Sequence, residues 1–146
     1  MKRGMGLPRP TEAWGALTGW PTTWDALVRC TDAEILTLDG WGPKQLRKLR
    51  EEYAPRVVVT RHAALVEYLA EIGLVPDGVR TIAHASEADV QGAHVFGVLP
   101  LRLAALAWMV TEVPLNLPAE LRGTELNLEQ ARQYAGEPAT YSVKRK

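Results

Sequence analysis

Arg56-Val57-Val58-Val59-Thr60-Arg61-His62-Ala63-Ala64-Leu65-Val66-Glu67-Tyr68-Leu69-Ala70-Glu71-Ile72-Gly73 decides the fold. Its first five residues are short and rich in valine, which reads as a buried strand. From His62 onward, Ala64, Leu65, Tyr68, Leu69 and Ile72 fall at helical spacing, and Gly73 ends the run. A buried strand that feeds straight into an amphipathic helix is the opening of a parallel α/β unit.

Downstream residues continue the alternation. Val79–Ala85 reads as a second strand, and Ser86-Glu87-Ala88-Asp89 caps a single helical turn. His94–Leu99 is a third strand, and Pro100 opens an apolar helix over Leu101–Val110. Glu112–Leu117 reads as a fourth strand, ended by Pro118. Leu126–Ala135 is a helix capped by Asn127 with Gln130 three residues on, and Ala139–Lys144 is a last strand. The expected class is α/β: a small Rossmann-like, mostly parallel sheet over residues 55–146, with helices on both faces. A domain this small covers more apolar surface as a homodimer, which is the expected assembly.

Upstream, the aromatic chemistry changes. Trp14, Trp20, Trp24 and Trp41 precede the sheet, and only Trp108 follows, so a domain boundary is expected near residue 54. Met1–Pro10 reads as a loose tail, Thr11 as the cap of a helix carrying Trp14 and Leu17, and Thr22 or Thr23 as the cap of another holding Trp24, Leu27 and Val28. Thr31-Asp32-Ala33-Glu34 matches the capping box and starts a helix over Asp32–Leu38. Asp39-Gly40-Trp41-Gly42 breaks it, and Pro43 begins another over Pro43–Tyr53, with Leu46 and Leu49 inward. Residues 1–54 thus read as a small all-α domain that resembles the helix–hairpin–helix family. In that family the glycines let the backbone approach a phosphate facing the second helix. Gly40, Gly42, Lys44 and Arg47 are then the candidates for DNA or RNA contact, with Lys48 assisting. Equally, the turn only joins two helices that pack against each other or a partner.

Composition excludes several classes. Seventeen basic and seventeen acidic side chains leave no net charge, which gives no support to nucleic-acid binding through bulk positive charge. The single cysteine, Cys30, forbids an internal disulfide, and with three scattered histidines it argues against a structural zinc site. No apolar run approaches the ~20 residues that span a bilayer. No signal peptide is legible behind Lys2 and Arg3. The expectation is a cytoplasmic, metal-free protein without a cofactor or membrane partner.

Open parallel sheets bind ligands beyond the carboxyl ends of their strands. Thr60-Arg61-His62 leaves the first predicted strand, His84-Ala85-Ser86 the second, and Leu99-Pro100-Leu101-Arg102 the third. Asn116-Leu117-Pro118 leaves the fourth, followed by Glu120, Arg122 and Glu125. Arg61, Arg102 and Arg122 with His62, His84, Thr60, Ser86 and Asn116 form an anion site, best suited to a phosphodiester. His94 sits within a strand and reads as structural. No glycine fingerprint, phosphate loop or zinc spacing is present.

Three stretches resemble a known family. Val59-Thr60-Arg61-His62-Ala63-Ala64-Leu65-Val66-Glu67-Tyr68, Gly97-Val98-Leu99-Pro100-Leu101-Arg102-Leu103-Ala104-Ala105 and Leu117-Pro118-Ala119-Glu120-Leu121-Arg122-Gly123-Thr124-Glu125-Leu126 are similar to the Csx-sixteen family of type III CRISPR ancillary proteins. The resemblance covers about residues 56–143. It implies a ring nuclease that binds cyclic tetra-adenylate and opens it, without metal, to linear diadenylate with a 2′,3′-cyclic phosphate. Under that implication Arg61, His62 and Arg122 are catalytic. Thr60, His84, Ser86, Pro100, Arg102, Asn116 and Glu125 bind the ligand. A messenger-binding protein that does not cut, and a nucleic-acid adaptor working through the hairpin, remain alternatives. Two positions depart from the pattern: Ala93 follows Gly92 where an acid is common, and Arg102 stands where a small polar residue is common.

Overall fold

The computed structural model describes residues 24–38 and 40–146. The expected tail, the helix of Trp14 and Leu17, the caps Thr22 and Thr23, and Asp39 lie outside the described residues.

Among the described residues three helices come first: α1 (Trp24–Leu27), α2 (Asp32–Leu36) and α3 (Pro43–Tyr53). Thr31 closes the expected capping box, accepting from the Glu34 N–H while the Glu34 carboxylate accepts from the Thr31 N–H. Leu27, Val28, Ile35, Leu38, Trp41, Leu49 and Tyr53 form a core confined to this helical unit. Trp24 stacks on Tyr53 with ring centroids 5.0 Å apart.

The second unit alternates β1 (Arg56–Val59), α4 (Ala63–Glu71), β2 (Arg80–Ile82), α5 (Glu87–Val90), β3 (His94–Gly97), α6 (Leu101–Ala104), β4 (Met109–Glu112), a 3-10 turn (Ala119–Leu121), α7 (Leu128–Tyr134) and β5 (Ala139–Tyr141). The five strands lie in the order β2-β1-β3-β4-β5. The first four are parallel, and β5 joins antiparallel at the edge. The expected α/β class and mostly parallel sheet are therefore present. Strand residues alternate between two cores. Val57, Val95 and Val110 face α5 and α6, while Val58 and Phe96 face α4. Leu126 and Ala131 pack on Ala64 and extend the second layer.

Two expected boundaries are corrected. The apolar helix stops at Ala104 rather than Val110, and the fourth strand is Met109–Glu112 rather than Glu112–Leu117. A continuous apolar run fits a buried helix and a buried strand equally, and here backbone pairing decides. The Gly92 N–H donates to the Leu106 carbonyl at 3.1 Å and the Trp108 N–H to the Ala93 carbonyl at 2.8 Å. These bonds turn the chain back into the sheet directly beside β3. Residues 113–117 instead meet the far end of α7, with the Asn116 N–H donating to the Tyr134 carbonyl at 2.9 Å. The second and last strands are also shorter than expected, ending at Ile82 and Tyr141.

Candidate functional site at the carboxyl edge of the sheet

The strand order reverses direction between β1 and β3, and that crevice is where open α/β sheets hold ligands. Register places Val59 beside both Ile82 and Gly97, so three strand exits start side by side. Gly97 has φ +140°, and a Cβ there would lie 2.2 Å from the Val59 carbonyl oxygen. Glycine is needed for β1 and β3 to approach this closely at the crevice.

The exit from β1 carries most of the polar chemistry. The Thr60 N–H donates to the Ile82 carbonyl at 3.0 Å, pinning the loop to β2. The Thr60 hydroxyl oxygen accepts from the His62 N–H at 3.1 Å, which sets His62 as the N-cap of α4. Arg61 is exposed and His62 half-buried, and neither side chain has a hydrogen-bond or ion-pair partner among the described residues. His84, in the exit from β2, is exposed and equally unpartnered among the described residues. Because Leu126 packs against Ala64, the loop carrying Arg122 and Glu125 is tethered beside the start of α4. Both of those side chains are exposed, with no partner among the described residues.

The remaining expected residues divide. Asn116 is exposed past β4. The Ser86 hydroxyl donates to an Asp89 carboxylate oxygen at 2.9 Å, and the same oxygen accepts the Ser86 N–H at 2.8 Å. Arg80 reaches the other Asp89 oxygen at 2.6 Å. The Ser86 bonds, with Arg80 added, hold the Asp89 carboxyl at about 2. Ser86 therefore works as a helix cap. Arg102 sits on the α5–α6 face, 3.5 Å from Glu87, with both side chains mostly exposed. Pro100 is the N-cap position of α6, its carbonyl accepting from Leu103 and Ala104. The fold thus groups Arg61, His62 and His84 at the strand exits, brings Arg122 near through its loop, and pairs Arg102, at the start of α6, with Glu87 at the start of α5.

Two apolar side chains at this edge were not singled out from the sequence. Val98 and Leu101 are 71% and 76% exposed, well above the other exposed large apolar residues. Only their position in a strand-exit loop hinted at it.

At the hairpin, two of the turn's backbone donors are already engaged. Gly40 has φ +83°, the Trp41 N–H donates to the Leu38 carbonyl at 3.1 Å, and the Gly42 N–H donates to Gln45 Oε1 at 3.0 Å. Pro43 has no N–H to offer. Lys44 and Arg47 are exposed, while Arg50 is 3% exposed. The Arg50 guanidinium donates to the Val28 carbonyl, to the Cys30 carbonyl at 2.8 Å and to Asp32 Oδ1 at 2.9 Å. The sequence reading sets Arg50 with Lys44, Arg47 and Lys48 around the helix, and its place in the i, i+3, i+4, i+7 stripe of Leu46, Leu49 and Tyr53 is the signal that corrects it.

His94 behaves as the structural residue expected. Its Nε2 lies 2.7 Å from the Thr111 hydroxyl, which lies 2.8 Å from that of Thr140. Its ring stacks on Phe96 at 4.3 Å, and burial, then nearby Arg56, hold it below the usual histidine range.

Among the described residues no cluster of three or more His, Cys, Asp and Glu is placed to hold a metal ion, and no helix is long and apolar enough to cross a membrane. No curated protein and no solved structure matches the chain. The family model described as "Putative CRISPR-associated protein (Cas_VVA1548)" matches residues 57–144, nearly all of the sheet unit, and the chain belongs to that family of CRISPR-associated proteins.

Proposed function

We propose that the chain is a ring nuclease of the Csx-sixteen kind, which binds cyclic tetra-adenylate and opens it. The observation that carries this reading is the pair Arg61 and His62. Both leave the sheet at its switch point with side chains unused by the fold. Membership of a CRISPR-associated family over residues 57–144 supports the same reading.

The reaction needs little from the protein beyond placement and charge. A ribose 2′-hydroxyl attacks the adjacent phosphorus while the 5′-oxygen leaves, giving a 2′,3′-cyclic phosphate and a 5′-hydroxyl. Attacking oxygen, phosphorus and leaving oxygen must be held in line. Arg61 and Arg122 stabilise the charge that grows on the phosphoryl oxygens. His62 takes the proton from the 2′-hydroxyl or delivers one to the leaving oxygen. His84 and Asn116 orient the ring, and Thr60 fixes the loop that carries Arg61 and His62. A homodimer presents two such edges to a ligand with its own two-fold symmetry.

The test is direct. Purified protein is incubated with cyclic tetra-adenylate in EDTA and the products are resolved by chromatography over multiple turnovers. Linear diadenylate ending in cyclic phosphate is the expected result. An intact ring bound stoichiometrically overturns cleavage in favour of sequestration. Neither binding nor cutting overturns the ligand assignment.

A further inference from the structure

A groove that starts at the β3 exit but is lined by none of Arg61, His62, His84 and Arg122 has no role in the proposed reaction. It consists of two cavities, of about 550 and about 630 Å³, that share Ala105, Leu106, Val143, Lys144 and Arg145. The first begins at Leu101 and Arg102; the second ends against Thr31, Asp32 and Arg50 of the helical unit. The groove therefore runs from the start of α6 to the seam between helices and sheet.

Its chemistry is two-sided. Leu101, Ala105, Leu106 and Val143 give it an apolar floor, with Trp108 half-buried at the deeper end. The acids along it, Glu87 and Asp32, already face Arg102 and Arg50. Lys144 and Arg145 are exposed and have no ion-pair partner among the described residues. An apolar floor with uncompensated cations on its lip suits a chain that alternates flat bases with phosphates. Single-strand sites join a cationic track to an aromatic platform for the bases, and Trp108 is the ring in this groove.

We propose that this groove binds a short single-stranded oligonucleotide, with its phosphates on Lys144 and Arg145 and its bases over Trp108 and the apolar floor beside it. Each lobe has a volume within the range of sites that hold a small molecule the size of a nucleotide. The site is separate from Arg61 and His62 and stands whether or not the rim cleaves a ring.

The experiment uses the full chain and a 5′-fluorescein linear oligouridylate RNA about eight nucleotides long, within the usual site size and without the adenines proposed for the rim. Anisotropy titrations are run on the native protein, on Lys144→Glu/Arg145→Glu, on Leu101→Asp and on Arg61→Ala. All four substituted positions are exposed, and circular dichroism checks that the variants stay folded. The double variant should bind about 10-fold or more weakly, and the slope of log K against log salt should fall by about 1.4, for two lost contacts on a single strand. Leu101→Asp should also weaken binding, and Arg61→Ala should not. Binding lost in Arg61→Ala but kept in the groove variants overturns the proposal, because the RNA then sits at the rim. A glutamate-rich peptide of equal charge that competes as well as the RNA also overturns it, and makes an acidic peptide the occupant.

Discussion

The hairpin at Gly40–Gly42 and the rim at Thr60–His62 are both turns that lead into a helix, and both carry basic residues. They differ in what the fold has already done with their donors. At the hairpin, Trp41 and Gly42 donate to Leu38 and Gln45, and Arg50 is buried on carbonyls of its own unit. At the rim, the backbone is pinned by Thr60 while Arg61 and His62 project with nothing to bind. Polar groups engaged by the fold contribute to stability, and polar groups left free at a strand exit are available to a ligand. Substitution should therefore affect stability at the first place and activity at the second.

The largest expected effect is on stability. Arg50→Ala leaves the Val28 and Cys30 carbonyls without their donor and opens a cavity in the helical unit. The expected loss is about 3–5 kcal/mol. Urea denaturation measures it. A loss below about 1 kcal/mol would show that the guanidinium is dispensable and would erase the contrast.

At the rim the signs reverse. Arg61→Ala or His62→Ala should cut turnover of cyclic tetra-adenylate about 10²-fold or more. Stability should stay within about 0.5 kcal/mol, since neither side chain is used by the fold. Turnover that survives one of these substitutions removes that residue from the mechanism. Turnover lost together with stability would make the rim as structural as the hairpin.

This contrast also explains what the sequence could reveal. Local signals were legible because neighbours a few residues away fix them. Thr31 with Glu34, Asn127 with Gln130 and Pro43 at a helix start all appear where chain chemistry puts them. The β1–α4 unit was equally plain from its change of period. The stretch 101–117 was not, because the bonds that end α6 and start β4 come from Gly92 and Ala93 across the sheet. The rim was legible only as far as the strands were. Arg61, His62 and His84 sit at real exits. Arg102 stands at the β3 exit too, and its pairing with Glu87 appears only once α5 and α6 pack. The groove under Lys144 and Arg145 was invisible, since its walls are far apart in the chain.

A smaller effect sharpens the hairpin side. Gln45→Ala frees the Gly42 N–H by removing the side chain that accepts from it. Loss of a capping contact of this kind costs about 1 kcal/mol. If the freed amide also lets the hairpin bind duplex DNA at low salt, where the native protein does not, then engagement of the donor is what closes this turn to phosphate. Duplex binding by the native protein, lost on Lys44→Glu/Arg47→Glu, would instead show that side chains suffice.

The smallest effect is a pH dependence that separates structural histidine from rim histidine. Burial and the nearby Arg56 hold His94 below its ordinary value of 6.5. As pH falls below that value the unfolded chain takes up the proton first, so protonation favours unfolding. The stability His94 contributes is present above pH 6.5 and declines as pH falls toward its lowered folded-state value. The carboxylates act elsewhere on the scale: Asp89, held at about 2 against an ordinary 3.8, loses its contribution only at more acid pH. Melting temperatures between pH 7.5 and 5.5 should therefore fall in the native protein and fall less in His94→Gln, whose amide can still meet the Thr111 hydroxyl. His62→Ala should leave that slope unchanged. If His62→Ala flattened the melting slope instead, the free side chain at the rim would be part of the fold after all.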